Sequence, residues 1–343
     1  MRAFEYASAS TVDEALKIVG GPHNDNGNGA AALAGHDKPR FLAGGTDLLT
    51  LMKADVAAPA LVVDVKRVED LPRGIQEGPD SLTIGALTTL SEIERHPAVV
   101  ERYAALSQSI GQAATPQLRN MATIGGNLLQ RPRCWYFRSH LFACWLKGGE
   151  DCPAHDGENQ YHALFGGRTG DTPCVAVHPS DAASALVALG AAVRLRGPSG
   201  ERTLPIADLF AEPTADRRTE TVIRPDELLV EVRLPAPAAG ACSVYLKAMD
   251  RKVWAFALVG VAAVLRLEGG RIADPRLVLS GVAQTPWRAE SAEQVLAGQQ
   301  PTPNLFAQAA EAALAEARPL EHNGYKVPLA RGLIQRALTD LTA

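Results

Sequence analysis

The 343-residue sequence predicts a mixed α and β protein with more than one domain. Short strand-like runs of apolar residues alternate with helical segments, but without the regular strand–helix–strand repeat of a parallel α/β fold. Two prolines and a glycine within residues 235–240 then interrupt both strand and helix patterns. We therefore predict a first domain at residues 1–237 and a second domain at residues 238–343.

The first domain is predicted to begin with a helix, because Thr11 and Glu14 form a capping-box pattern ahead of an apolar helical face. Residues 22–39 are rich in glycine and asparagine and indicate a loop. Apolar runs then predict strands, in chain order, at residues 40–43, 62–65, 82–86, 192–195 and 229–234. Helices are predicted at residues 92–111 and 181–190, the second after the capping residue Ser180.

The second domain is predicted to start with a strand at residues 244–248. A long apolar segment at residues 255–267 fits either a strand or a helix, and the glycine pair 269–270 predicts a turn into a returning strand at residues 276–282. Amphipathic spacing predicts two helices near the end of the chain, at residues 305–317 and 327–341.

The composition argues against several classes of partner. A formal net charge of −4 gives no overall basic field for nucleic acid or an anionic membrane. The first residues lack the apolar core of a signal peptide, and no apolar run is long enough to span a bilayer. Five cysteines cannot all pair within one molecule, so we expect reduced thiols and a cytoplasmic location. Export as part of a folded complex, on a partner's signal, stays open.

Two glycine pairs follow strand-like runs, at residues 44–45 and 125–126. Neither matches the dinucleotide fingerprint or the P-loop. Adjacent glycines let backbone amides approach an anion closely, because no Cβ is in the way and positive φ costs little. A helix that begins after the turn adds a positive partial charge. The pairs therefore fit turns that bind a pyrophosphate, although ordinary tight turns use glycine in the same way.

Four of the five cysteines lie within 41 residues, separated by 9, 7 and 21 residues: Cys134, Cys144, Cys152 and Cys174. Such clustering indicates a metal site. The spacing lacks the C-x2-C pairs of most structural zinc sites, so the residues alone leave a zinc ion and an iron–sulfur cluster both open. Cys242 lies outside the cluster and is predicted to be an ordinary small core residue.

An ordered series of motifs carries a family resemblance over most of the chain: FLAGGTDLLTLMK, LTIGALTTLSEIE, QLRNMATIGGNLLQRPRC, CVAVHPSDAASALVALGA and YLKAMDRKVWAFALVGVA. The chain resembles the flavin-binding medium subunit of the xanthine dehydrogenase family of molybdenum hydroxylases. This resemblance implies an α+β fold. It consists of a two-lobed FAD-binding domain of the vanillyl-alcohol-oxidase type, with lobes at about 1–56 and 57–237, and a smaller C-terminal domain that combines a short antiparallel sheet with helices.

The resemblance also implies the residues that bind FAD. The diphosphate would lie on the first glycine turn, at Leu42, Ala43, Gly44, Gly45, Thr46, Asp47 and Leu48. The second turn would complete the site with Thr123, Gly125, Gly126 and Asn127. Asp181 and Lys247 would contact the flavin nucleotide, although Asp181 is equally suited to a helix start and Lys247 to a solvated strand.

The cysteine-bearing segment RCWYFRSHLFACWLKGGEDC resembles the [4Fe–4S] insertion of the family members that include bacterial aldehyde oxidoreductases and hydroxybenzoyl-CoA reductases. The resemblance places this insertion at about 131–174 and makes all four clustered cysteines cluster ligands. His155 and His162 are weaker candidate ligands. Nearby cations would raise the cluster potential: Arg131, Arg133, Arg138 and Lys147.

By the same resemblance, the chain is the electron-transfer subunit of a heteromeric complex that oxidises aldehydes. Its partners would be a large subunit with the molybdenum cofactor, a small subunit with [2Fe–2S] clusters, and an external electron acceptor. No catalytic side chain is expected in this chain. The alternative is a non-enzymatic interaction subunit stabilised by zinc, with glycine turns that bind nothing.

Overall fold

The structure is a computed structural model that describes residues 1–21, 38–166 and 172–343. The loop predicted at residues 22–39 therefore lies almost entirely outside the described residues, as do residues 167–171 of the cysteine-bearing segment. The described chain forms three sheets with helices around them.

The first sheet is a small parallel sheet near the N-terminus. Its strands are β1 (Glu5–Ser8), β2 (Arg40–Leu42) and β3 (Leu61–Asp64), in the spatial order β1-β3-β2. Helix α1 (Val12–Val19) begins as predicted, because the Thr11 side chain accepts a hydrogen bond from the Glu14 amide. Helix α2 (Leu48–Lys53) follows β2 through the first glycine turn.

The second sheet has five antiparallel strands in the order β4-β5-β8-β6-β7. These are β4 (Ile75–Glu77), β5 (Ser81–Gly85), β6 (Ala192–Gly197), β7 (Gly200–Pro205) and β8 (Leu228–Pro235). The helices of this region are α3 (Leu90–Arg95), α4 (Pro97–Arg102), α5 (Ala104–Gly111), α6 (Pro116–Arg119), α7 (Ile124–Leu128), α8 (Trp135–Arg138) and α9 (Asp181–Ala188), with short 3-10 turns at Trp145–Lys147 and Ile206–Leu209.

The helical character predicted for residues 92–111 is confirmed, but three short helices occupy this stretch. His96 ends the first of them in an extended conformation with ψ of 126° and precedes Pro97, which begins the second. Proline disfavours a helical conformation in the residue before it and has no N–H to continue the ladder. The chain therefore bends here and wraps its apolar side chains around one core.

The third sheet is antiparallel and has the order β12-β11-β10-β9. Its strands are β9 (Cys242–Ala248), β10 (Val259–Glu268), β11 (Arg271–Ser280) and β12 (Trp287–Arg288), and its helices are α10 (Glu290–Leu296), α11 (Pro303–Leu314) and α12 (Lys326–Thr342). The ambiguous segment at 255–267 is thus a strand, and a turn with positive φ at both Gly269 and Gly270 joins it to its partner. The prediction that Cys242 is buried was wrong, because it is the exposed first residue of an edge strand.

Helix α9 connects the second and third sheets. All eight of its residues are buried, and it packs on α5 and on strands β10 and β11. The central core therefore includes Tyr245, Ala262 and Val278 from the third sheet beside the side chains of the second sheet. This shared core holds the last third of the chain firmly against the region that carries the glycine turns.

Candidate functional site

The first glycine turn, residues 43–47, connects β2 to α2 and leaves its backbone donors free. Within the described residues, none of these five amides donates a hydrogen bond to a protein group. Gly45 has a φ of +72°, and a Cβ on Gly44 would lie 1.9 Å from the Met121 carbonyl oxygen. Both glycines are required by this geometry, and five consecutive half-buried amides form a site for an anionic group.

The second glycine turn starts α7 and adjoins the first, since Gly44 packs on the backbone just before it. Its glycine and asparagine amides are already used: Gly125 donates to the Ala86 carbonyl at 3.0 Å, and Asn127 donates to the Thr123 carbonyl at 2.8 Å. Gly126 donates to the Thr123 hydroxyl oxygen at 3.2 Å. The donors that this turn can offer a ligand are therefore the Thr123 hydroxyl, the Thr123 amide and the Asn127 side-chain amide.

The Asp47 carboxylate joins the first turn to the cysteine-bearing segment. It accepts a hydrogen bond from the Arg131 amide at 3.0 Å and from the Arg138 guanidinium at 2.7 Å, and it pairs with Arg133 at 2.8 Å. The Arg131 side chain pairs instead with Glu220 at 2.8 Å. Two carboxylates thus balance part of the three arginine charges, since Arg133 and Arg138 share Asp47, and these contacts fix the segment against the turn.

The four clustered cysteines lie together in two adjoining apolar clusters, and all of them are free thiols. Burial, with smaller contributions from the charges of Cys144 and Cys152, raises the pKa of Cys134 to about 12. Burial also raises the pKa of Cys174, with added effects from the other three thiols. The sulfurs are therefore near enough to interact electrostatically in a site that excludes water.

A bound metal ion requires several ligand side chains arranged around it. Across residues 1–21, 38–166 and 172–343, no three His, Cys, Asp or Glu side chains are arranged to hold a metal ion. A tetrahedral zinc site with Zn–S bonds of about 2.3 Å requires sulfurs about 3.8 Å apart. The described residues therefore give no direct support to either predicted metal, the structural zinc ion or the iron–sulfur cluster.

The two candidate histidines differ in their contacts. His162 is buried with its Nε2 atom 3.2 Å from the Cys134 sulfur, and burial lowers its pKa to about 4. His155 contacts the Pro173 carbonyl oxygen through Nε2 at 2.7 Å. Lys147 donates a hydrogen bond to the Ser139 carbonyl, and the neighbouring Cys144 and Cys134 oppose the lowering of its pKa by burial. The structure thus places His162 and Lys147, but not His155, toward the thiols.

Asp181 and Lys247 meet as a fully buried ion pair with an O–N distance of 2.7 Å. Asp181 also accepts from the Tyr245 hydroxyl at 2.6 Å, and burial, then the Asp181 charge, raises the pKa of that tyrosine well above its usual value. Lys247 is therefore not a solvated strand residue, and the helix cap is Ser180, whose side chain accepts from the Ala183 amide. Their predicted contact with the flavin nucleotide stays a prediction.

Sequence reasoning missed two groups at this site, Tyr245 and the loop that carries Arg218. The Arg218 guanidinium lies over the Trp145 ring at 4.6 Å and donates to the carbonyls of Trp145 and Gly149. Tyr245 stands in the quoted motif YLKAMD, two residues before Lys247, where same-face alternation in a strand indicates a shared role. Arg218 lies about 70 residues from its partners and gives no local sequence signal.

Comparison with known proteins identifies the family. Residues 2–237 match the model described as the FAD binding domain in molybdopterin dehydrogenase, and residues 244–341 match the carbon monoxide dehydrogenase flavoprotein C-terminal domain. The chain belongs to the FAD-binding medium subunits of the molybdenum hydroxylase family. It is therefore an oxidoreductase subunit that binds FAD, and the recognition made from the sequence motifs is confirmed.

Individual relatives extend over nearly the whole chain. The aldehyde oxidoreductase FAD-binding subunit PaoB of Escherichia coli strain K12 is 36% identical, over 100% of this chain and 99% of its own length. The carbon monoxide dehydrogenase medium chain of Hydrogenophaga pseudoflava is 29% identical, over 98% of this chain and 96% of its own.

The solved carbon monoxide dehydrogenase from Hydrogenophaga pseudoflava, which lacks the Mo-pyranopterin moiety of its cofactor, matches with a TM-score of 0.75 and 30% identity, over 98% of this chain and 96% of that chain. The predicted α+β fold class is therefore confirmed. None of the helices in the described part of the chain combines the length and apolar character that a membrane span needs.

Proposed function

We propose that this chain is the FAD- and [4Fe–4S]-carrying electron-transfer subunit of an aldehyde-oxidising molybdenum hydroxylase. The observation that carries the proposal is the row of five free amides at residues 43–47, tied through Asp47 to a segment with four buried, interacting thiols. The aldehyde class is supported by the 36% identity to a relative named as an aldehyde oxidoreductase subunit.

The FAD diphosphate fits the first turn because free amides can donate to its oxygens and the helix α2 that follows adds a positive partial charge. We assign residues 42–48 to this contact. The second turn would contribute the Thr123 hydroxyl and the Asn127 side chain. Gly44 allows the two turns to approach closely, while Gly125 and Gly126 leave room for Ala86 and for the Thr123 side chain. The buried pair of Asp181 and Lys247 would form part of the wall around the flavin end of the nucleotide.

The [4Fe–4S] assignment is supported by the chemistry and spacing of the donors. Four thiols with no counter-ion pair of their own are the soft ligands that iron clusters use. The four thiols lie close enough to one another for their charges to interact. We therefore assign Cys134, Cys144, Cys152 and Cys174 as its ligands.

When bound, FAD supplies a carrier that exchanges electrons singly or in pairs, and the cluster supplies a one-electron carrier. The chain holds the diphosphate on backbone amides and keeps the thiols in a dry environment. Asp47 fixes the cysteine-bearing segment against the FAD turn, so the two groups keep a constant separation. Holding these two electron carriers in place requires no catalytic side chain in the subunit.

The proposal implies partners on both sides of the electron path. A large subunit with the molybdenum cofactor would oxidise the aldehyde, and a small subunit with [2Fe–2S] clusters would deliver the electrons to this chain. An external acceptor would remove them. Thiols that bind iron must stay reduced, which favours assembly in the cytoplasm.

The proposal is tested on the complex purified without oxygen. We expect flavin absorption near ~370 and ~450 nm, a broad iron–sulfur shoulder, and iron with acid-labile sulfide. Cys134→Ser should lose most of the iron, while Cys242→Ser, which changes an exposed thiol outside the cluster, should keep it. Aldehyde should bleach the flavin band of the complex.

Three outcomes would contradict the proposal in different places. Full iron in Cys134→Ser would remove this residue from the ligand set. A colourless chain with stoichiometric zinc would support the zinc-stabilised alternative. A flavin band that responds to another substrate class but to no aldehyde would leave the cofactors in place and exclude aldehyde oxidation.

A further inference from the structure

The contact between His162 and Cys134 has no role in the proposed function as stated so far. The imidazole Nε2 atom lies 3.2 Å from the Cys134 sulfur, inside the range of an N–H···S hydrogen bond. The His162 residue is 2% exposed. In a polar contact this deeply buried, one of the two atoms, Nε2 or the sulfur, must donate a proton to the other.

The state of the Cys134 sulfur decides the proton position. His162 Nδ1 is buried and has no hydrogen-bond partner within the described part of the chain, so it is unsatisfied in either tautomer. A thiolate that binds the proposed cluster has no proton and can only accept. With Cys134 in that state, the proton belongs on Nε2, which faces the sulfur as a donor.

The C-terminal part of the chain holds His162 in this orientation. Lys326, at the start of α12, donates to the His162 carbonyl at 2.9 Å, and the Asn323 side chain donates to the same carbonyl at 3.1 Å. The imidazole also packs against the Trp135 ring, with a centroid distance of 5.4 Å. The hydrogen bonds to the His162 backbone and the packing of its ring together leave the imidazole little freedom to turn away from the sulfur.

We propose that His162 is a positioning residue that donates a hydrogen bond from Nε2 to the Cys134 sulfur and so raises the reduction potential of the iron–sulfur cluster. The inference rests on the proposed [4Fe–4S] site. A donor to a ligand sulfur draws charge from the thiolate, and this stabilises the reduced cluster because it carries the additional negative charge. The contact also orients Cys134 within the ligand set.

The test compares His162→Leu, His162→Gln and wild type in the intact complex. Leucine fills the site without a donor, whereas glutamine can place a side-chain N–H near the position of Nε2. His140→Leu is the matched control, since His140 is an exposed histidine of the same segment. Iron and sulfide contents come first, followed by the cluster midpoint potential from an EPR-monitored redox titration.

We expect His162→Leu to keep its iron and to shift the one-electron equilibrium about tenfold toward the oxidised cluster, which is a fall of about 59 mV. His162→Gln should recover much of this shift, and His140→Leu should show none. Equal potentials for wild type and His162→Leu, with iron present in both, would overturn this inference alone. Wild type without iron would overturn the cluster assignment and the inference with it.

A second measurement covers the case in which His162→Leu loses its iron. Wild type labelled with 15N only at histidine is reduced and studied by pulsed EPR. A weak 15N coupling supports a hydrogen bond to a cluster ligand, because the nucleus is close to the spin but not bonded to iron. A strong coupling typical of a directly bound imidazole, or no coupling at all, would overturn the inference.

Discussion

The substitution Gly44→Ala tests whether the first glycine turn is an FAD site built on backbone amides. The new Cβ would lie 1.9 Å from the Met121 carbonyl oxygen, whereas real Cβ atoms essentially never come within 3.0 Å of such an atom. The two backbone segments must therefore separate by about 1.1 Å. Because the contact is with backbone, no flexible side chain can move aside to absorb the change.

The expected magnitude has two parts. Overpacking of this kind costs about 1–3 kcal/mol in the free energy of unfolding. At about 2–4 °C per kcal/mol for a folding unit of 150–250 residues, the melting temperature falls by roughly 2–12 °C. If the displaced turn loses two hydrogen bonds to the charged diphosphate, each worth about 1.5–3 kcal/mol, FAD binds at least about 100-fold more weakly.

The assay separates these two effects. The flavin is removed, the melting temperature of the apoprotein is measured, and FAD is then titrated back while its fluorescence is followed. Gly332→Ala is the matched control, since an added Cβ there meets nothing within 4 Å in the middle of α12. It should keep wild-type FAD affinity and gain up to about 1 kcal/mol in stability. A folded Gly44→Ala protein with wild-type FAD affinity would refute the assignment of this turn.

Two further predictions concern charge. Asp47→Asn removes a half-buried carboxylate shared by Arg133 and Arg138, so we expect the free energy of urea unfolding to fall by about 1–3 kcal/mol, with reduced retention of both flavin and iron. The control Asp13→Asn, at an exposed ion pair, should lower it by less than about 1 kcal/mol. Equal losses in the two variants would contradict the anchoring role of Asp47. Burial lowers the pKa of Lys326 to about 7, so the unfolded chain keeps this proton up to a higher pH than the folded protein does. The free energy of unfolding of the wild type, relative to that of Lys326→Met, should therefore rise between about pH 7 and about pH 10.5. A difference that stays constant over this range would contradict the prediction.

The outcome of the sequence predictions depended on how local their cause is. The turn at Gly269 and Gly270 and the helix capped by Thr11 were predicted correctly, because the signal lies within a few neighbouring residues. Residues 92–111 are helical as predicted, but their division into three helices was not predicted, since only the shape of the core shows that the chain bends at Pro97. The prediction that Cys242 is a buried core residue was wrong, because strand order, which makes β9 an edge strand, is a long-range property.

The amino-acid sequence by itself determined the family, the α+β fold class and the presence of two glycine turns and four clustered cysteines. These features are carried by residue type and by spacing along the chain. Tertiary structure alone decided which donors are free: among the described residues the amides of residues 43–47 have no protein partner, while those of Gly125, Gly126 and Asn127 are already bonded. It also joined Asp181 to Lys247 and His162 to Cys134. Hydrogen-bond satisfaction and burial are properties of packed neighbours, and residues far apart in sequence become neighbours only when the chain has folded.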